Sequence, residues 1–218
     1  MPGKTGRYHI SKVSEKLEKM KEAPRKVIER TVADAKKRVP GWVAAEVAEQ
    51  YGIKKKEVGD GKTSKIKVEG KGWNDLRLKY SGRVLTPTHF QMSPTAPKPG
   101  GGYTLKATII KGQRSTLGKV KKLSKKQRAA LGDNFKKKGT QSSDHSPIML
   151  MHTGAKSGDK TQFIPFQRKS TNRKDIQAIK TVSVPQMISN ERVRPNIQQA
   201  IDEKLGKRIE HHMKLLEK

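Results

Sequence analysis

Histidines and small-residue turns are the first places to look for reactive chemistry in this chain, because it contains no cysteine. That excludes disulfide frameworks and thiolate metal sites. His211 and His212 stand side by side, but adjacent helical positions point about 100° apart and do not converge on one ion. They read as an exposed or interface pair. His145 and His152 flank an expected strand with no nearby cysteine. "SDHS" at 143–146 sets the letters of a triad next to one another, whereas sequence neighbours seldom adopt that geometry. "PGGGY" (99–103) lacks the Lys-Ser/Thr ending of a phosphate loop and precedes a strand, not a helix. "GAKSGDK" (154–160) fails the same template. No catalytic residue, cofactor or metal site is expected.

What remains is charge. Lys and Arg total 49 against 20 Asp and Glu, a formal net charge of +29. Such a balance attracts nucleic acid, acidic protein surfaces or anionic lipid. It is densest at 111–138, "KGQRSTLGKVKKLSKKQRAALGDNFKKK", with 11 basic residues and one acid, Asp133. Lysines without interleaved aromatics suit sequence-independent contact with phosphates or with an acidic neighbour, not base stacking. The contact residues singled out are Lys119, Lys121, Lys122, Lys125, Lys126, Arg128, Lys136, Lys137 and Lys138. No helix-turn-helix, zinc-finger or aromatic RNA-binding signature accompanies them. The longest apolar run, 148–151, is four residues, far short of the roughly 18 of a membrane span. "MPGKTGRYHI" lacks the apolar core of a signal peptide. A cytosolic origin and no membrane partner are expected.

The elements that carry this charge must come from a chain with 32% hydrophobic and 5% aromatic residues, so the core is expected to be thin and completed by partners. "SKVSEKLEKMKE" (11–22) places Val13, Leu17 and Met20 on one helical stripe, with Ser11 as N-cap. Past Pro24, "RKVIERTVADAKKRV" aligns Val27, Ile28, Thr31, Val32, Ala35 and Val39. Pro40-Gly41 is expected to break that helix, and "WVAAEVAEQYGI" to form another, giving a helical hairpin or one long kinked helix. The period then becomes two: "KIKVEG" (65–70), "LRLKYSGRVL" (76–85) and "GYTLKATIIKG" (102–112) alternate as half-buried strands. "TPTHFQMSPTAPKPGGG" between the last two, with its prolines and glycines, is expected to be a loop outside the core. "PIMLMH" and "TQFIPFQR" form a hairpin pair. "DIQAIKTVSV" (175–184) is the last strand, with Ile176, Ala178, Lys180 and Val182 on one face.

The fold class is therefore α+β: N-terminal helices, a central mainly antiparallel sheet with long basic loops, and a long C-terminal helix packed on the sheet. A helical segment at 1–58 is expected to join a sheet-and-helix region at 59–218, whose basic loop covers 111–146, in one compact domain. In the last helix Val193, Ile197, Ile201, Leu205, Ile209 and Met213 recur every four residues, followed by Leu216. A period of four drifts about 40° per step on an ordinary helix, roughly 200° over five steps. One sheet cannot cover that arc. The expectation is that Leu205, Ile209, Met213 and Leu216 form a subunit interface. The joint at Val184, Pro185 and Met187 would end the strand and aim the helix at a neighbour, with Ser189 or Asn190 as its cap.

"IKTVSVPQMISNERVRPNIQQAIDEKLGKRIEHHMKLL" resembles the C-terminal part of the bacteriophage minor tail protein Z family. The most specific motif is Ser183-Val184-Pro185-Gln186-Met187. The order of elements also matches, through "VIERTVADAKKRV", "YSGRVLTPTHF", "IIKGQRSTL" and the "PIMLMHTG" to "FIPFQRKS" hairpin, so the resemblance covers about residues 24–216. The chain departs from the family pattern at "NRKDIQAI", at Pro195 and in a long lysine-rich insertion around 119–138. The resemblance implies a structural virion protein made in the host cytoplasm and placed in the tail or neck. There it would complete the tail and permit head–tail joining, as lambda-like members do. Its implied partners are other copies in a ring around the DNA channel, the tail terminator, tail tube and head connector, and phage DNA contacted without sequence preference. The competing expectation from charge alone is a free-standing, sequence-independent nucleic-acid-binding protein of the nucleoid or ribosome.

Overall fold

The computed structural model describes residues 5–9, 25–72, 75–99, 102–120, 148–157, 160–168 and 175–215. The helix expected at 11–22 lies outside them. The fold is α+β, as expected, but the chain forms two compact units and not one. The first joins residues 1–84 to 182–218, and the second, 85–181, is inserted between them. The division therefore falls at 84/85 and 181/182 instead of at 58/59. The described residues form two sheets, one in each unit.

In the first unit, helix α1 (Arg25–Gln50) runs uninterrupted for 26 residues with Pro40 inside it. The expected break is absent. Val27, Thr31, Ala35, Val39, Val43 and Val47 are all buried, one stripe continuing in phase across the proline. Pro40 deprives the Lys36 carbonyl of its helical donor, but Lys36 lies on the exposed side, where water can replace it. Thr31 belongs to the buried stripe because its hydroxyl donates to the Val27 carbonyl at 2.8 Å. Strand β1 (Thr5–His9) pairs antiparallel with β3 (Arg77–Gly82), which also pairs antiparallel with β2 (Ser64–Glu69). Along β2 the alternation is strict: Ser64, Ile66 and Val68 are buried and Lys65, Lys67 and Glu69 exposed. Helix α1 packs on β2 and on the last helix.

In the second unit a five-stranded sheet has the order β4-β5-β6-β7-β8. Its strands are β4 (Tyr103–Ile110), β5 (Gln113–Val120), β6 (Ile148–Ser157), β7 (Lys160–Arg168) and β8 (Ile176–Ala178). Neighbours are antiparallel except β5 and β6, which meet in parallel through Val120 and Ile148. Ile110 faces Gln113 across the Lys111-Gly112 turn, where Gly112 takes φ +79°, a conformation glycine adopts without steric cost. The front of the basic stretch is therefore a paired strand and not a loop. The expected hairpin of β6 and β7 is present.

The Pro-rich segment after β3 is not outside the core. Pro87, Phe90 and Met92 are buried, and Phe90 is among the largest fully buried side chains. Ser93 and Lys106 exchange backbone hydrogen bonds of 2.8 and 2.9 Å, and Thr108 N–H donates to the Phe90 carbonyl. Backbone pairing with β4 thus holds an irregular segment under the sheet. At the other end of the unit, both the N–H and the hydroxyl of Thr181 donate to the Leu85 carbonyl.

Candidate functional site

The Ser183–Met187 motif is a helix start, not a strand end. Strand β8 stops at Ala178, and Val184–Ile188 forms a short helix, α2. Ser183 still bridges Val84, but its hydroxyl accepts from the Gln186 N–H while the Gln186 side chain accepts from the Ser183 N–H. This reciprocal capping box satisfies two donors that a helix start leaves orphaned. Pro185 sits in the first turn, where a missing N–H costs no intrahelical bond. Val184, Pro185, Met187 and Ile188 are all buried. A Cβ added at Gly82 would lie about 3 Å from Pro185 Cδ, Ser64 Cβ and the Thr63 carbonyl oxygen, so glycine lets α2 seat against the end of β3.

Ser189 does not cap the helix that follows. Its hydroxyl donates to the Pro185 carbonyl and lies 3.1 Å from the Tyr80 hydroxyl. Asn190 Oδ1 accepts from Arg192 N–H. Helix α3 (Arg194–Lys214) starts from Val193 without a side-chain cap. The Asn190 carbonyl accepts from both Val193 and Arg194.

The joint delivers α3 to α1, not to a neighbouring subunit. The chief partner of α3 is α1, and the cross-contacts run antiparallel: Asp34 meets Arg208 and His212, while Glu46 and Trp42 meet Lys204. Leu205 is fully buried and Ile209 nearly so, which removes both from the expected subunit interface. Both helices carry a buried row at every fourth residue, so the drifting rows follow each other as ridge and groove. One helix partner covers an arc that a flat sheet could not. Met213 is half-buried, Leu215 is 47% exposed, and Leu216 lies outside the described residues.

The histidine pair splits. His211 is exposed, whereas His212 is buried, with Nε2 3.0 Å from Asp34 Oδ2. Asp34 also accepts from Arg208 Nε and, at 3.1 Å, from Arg38 Nε. Burial alone would raise the Asp34 carboxyl, but the hydrogen bonds from Arg208, His212 and Arg38 outweigh it and bring it down from 3.8 to about 2. His212 Nδ1 is buried without a partner, and the carboxylate contact places the ring proton on Nε2. The cluster is a clasp between two helices, and its acceptor is saturated by three donors. Among the described residues no group of three or more His, Asp or Glu gathers to hold a metal ion. No helix among them is long and apolar enough to cross a membrane.

A turn that the sequence reading passed over, "GDGKTS" at 59–64, ends like a phosphate loop. Its donors are already engaged, because Asp60 Oδ1 accepts from the N–H groups of Lys62 and Thr63 and from the Thr63 hydroxyl. Burial would raise the Asp60 carboxyl, yet these donors hold it below its ordinary value. The chain's own carboxylate fills the place an anion would take.

Of the basic contact residues, Lys119 is exposed on β5. Lys121, Lys122, Lys125, Lys126, Arg128, Lys136, Lys137 and Lys138 lie outside the described residues. Pairing register places Lys119 on one face with Thr104, Lys106 and Thr116, opposite the face that buries Leu105, Ala107 and Gly118. The parallel contact of Val120 with Ile148 carries those two faces into the β6–β7 hairpin. The inner face continues through Ile148 and Pro165, both buried. The outer face continues through Met149, Met151, Ile164 and Phe166, then Ala178 and Ile176 on β8. Met151 is 37% exposed and the other five are half-buried. One sheet face is thus basic on β4–β5 and mostly apolar on β6–β8, where Arg168 shares it opposite Ile176. Only the first half had a signal in the sequence, as lysine density; the apolar half is set by register. Comparison with family models, curated proteins and solved structures gives no match.

Proposed function

We propose that this chain is a structural subunit of a phage virion, a tail completion or minor tail protein at the head-proximal end of the tail. The observation that carries the reading is the outer sheet face of the second unit. It leaves methionine, isoleucine and phenylalanine half-covered beside lysines, in a chain whose described polar clusters are closed on themselves. Surfaces of that kind serve contact, not turnover. The resemblance of Ser183-Val184-Pro185-Gln186-Met187 and its flanking elements to the minor tail protein Z family supplies the assembly in which the contact is made. In this reading copies form a ring around the DNA channel, beside the tail terminator, tail tube and head connector. A net charge of +29 suits DNA passing through such a ring without sequence preference. With Leu205 and Ile209 buried inside the subunit, copy-to-copy contacts fall to the end of α3, where Met213 and Leu215 remain accessible.

The charge also supports the second reading, a free-standing nucleic-acid-binding protein. Gold-labelled antibody on purified particles separates the two. Label at the head-proximal end of tails is the expected result, together with unjoined heads and tails when the protein is withheld. Particles without label, with the protein recovered instead on bulk nucleic acid, would overturn the virion reading.

A further inference from the structure

The outer face of the second unit divides into two halves of opposite chemistry, and the division identifies what fits it. Lys106 and Lys119 stand exposed on β4 and β5. Met149, Met151, Ile164 and Phe166 lie on the same face of β6 and β7 by register. We infer that this face docks an acidic, amphipathic segment of another protein. Its apolar side chains cover the methionines, and its carboxylates meet the lysines.

Charge complementarity excludes the other occupants. A second copy placed face to face would set Lys106 and Lys119 against the same lysines, and like charges facing each other across an interface are costly. Duplex DNA satisfies lysines but offers no apolar surface to the β6–β7 half. Single-stranded nucleic acid needs a row of aromatic platforms, and this face has one aromatic among these residues, Phe166. Methionine suits a docking surface, because its unbranched, polarisable side chain adapts to the shape of a partner. This inference rests on the register of the sheet and stands whether or not the chain belongs to a virion.

The test uses the full chain and three probes at near-physiological salt: a synthetic peptide alternating Glu with Leu, a sheared DNA duplex, and phosphatidylglycerol vesicles. The peptide is expected to bind, and Met151→Asp is expected to weaken it about tenfold or more. Lys106→Glu with Lys119→Glu should weaken it comparably, with the loss shrinking as salt is raised. DNA binding should be indifferent to Met151→Asp. Circular dichroism of each variant checks that the fold is retained, and Met151→Ser replaces Met151→Asp if it is not. Failure of the wild-type chain to bind the peptide would overturn the inference, as would equal binding by the variants. So would loss of vesicle or DNA binding as the only effect of Met151→Asp, or sedimentation showing that Met151→Asp dissolves a dimer.

Discussion

The two units handle their apolar residues differently. In the first, each period-four row of one helix meets the row of the other, and Val27, Val39, Val43, Val47, Ile201 and Leu205 are all at or near zero exposure. In the second, Leu85, Phe90 and Met92 are buried, while Met151 on the outer sheet face and Ile110 at the β4–β5 turn stay 37% and 47% exposed. A helix pair can close its own seam because two drifting rows follow one another. A five-stranded sheet has two faces, and here the irregular segment at 86–99 is bound to β4 while the outer face keeps Met149, Ile164 and Phe166 half-covered. The first unit buries its helix seam within one chain, and the second keeps apolar side chains half-covered on the sheet face that we propose as a docking surface.

The sharpest way to break that contrast is to damage the seam. Leu205→Ala removes a fully buried side chain and should cost about 3 kcal/mol, read as a large drop in the thermal midpoint of the full chain. If Leu205 instead served a subunit interface, the isolated chain would keep its midpoint. Next comes acid. The Asp34 carboxyl lies at about 2 in the folded chain against an ordinary 3.8, so its stabilisation is complete above about pH 4. It is lost as pH falls through about 2, and the clasp contributes on the order of 1–2 kcal/mol. Asp34→Asn should flatten that limb of the stability–pH curve; an unchanged limb would remove the clasp from the account. Ser183→Ala deletes half of the capping box and should cost about 1 kcal/mol, measured by denaturant midpoint. The smallest effect belongs to the second unit, where Ile110→Ser at the β4–β5 turn should shift stability by less than about 0.5 kcal/mol.

The sequence carried much of this, and its failures have physical causes. The stripes of α1 and α3 and the alternation of β2 were legible because side-chain period reports which face is buried. Pro40 points to a break because it removes a backbone hydrogen bond and crowds the preceding turn, whereas here an in-phase buried stripe on both sides holds the helix together. Phe90 and Met92 are buried within a Pro/Gly-rich segment, because proline and glycine mark irregular backbone, which is not the same as exposed backbone. The period of four on α3 implies more apolar arc than a sheet can cover, but Leu205 and Ile209 meet α1 within the chain and not another subunit. The row that matches it, at 27, 31, 35, 39, 43 and 47, runs through Pro40, and a break expected there hides it as the partner. The outer face of the second sheet is illegible in the sequence, because the register that puts Lys119 and Met149 on one face is fixed by strand pairing across distant segments. The apolar half of that face carries no signal until β5 and β6 are known to be neighbours.

Hydrogen exchange on the full chain, resolved to individual peptides, tests the division between the units most directly. Amides of α1 and α3 should exchange only through global opening, whereas those of β6–β8 should exchange faster through local opening and slow when the Glu–Leu peptide is added. Equal or greater protection of β6–β8 in the free chain would mean that its outer face is already covered, and the contrast between a complete scaffold and a waiting surface would be wrong.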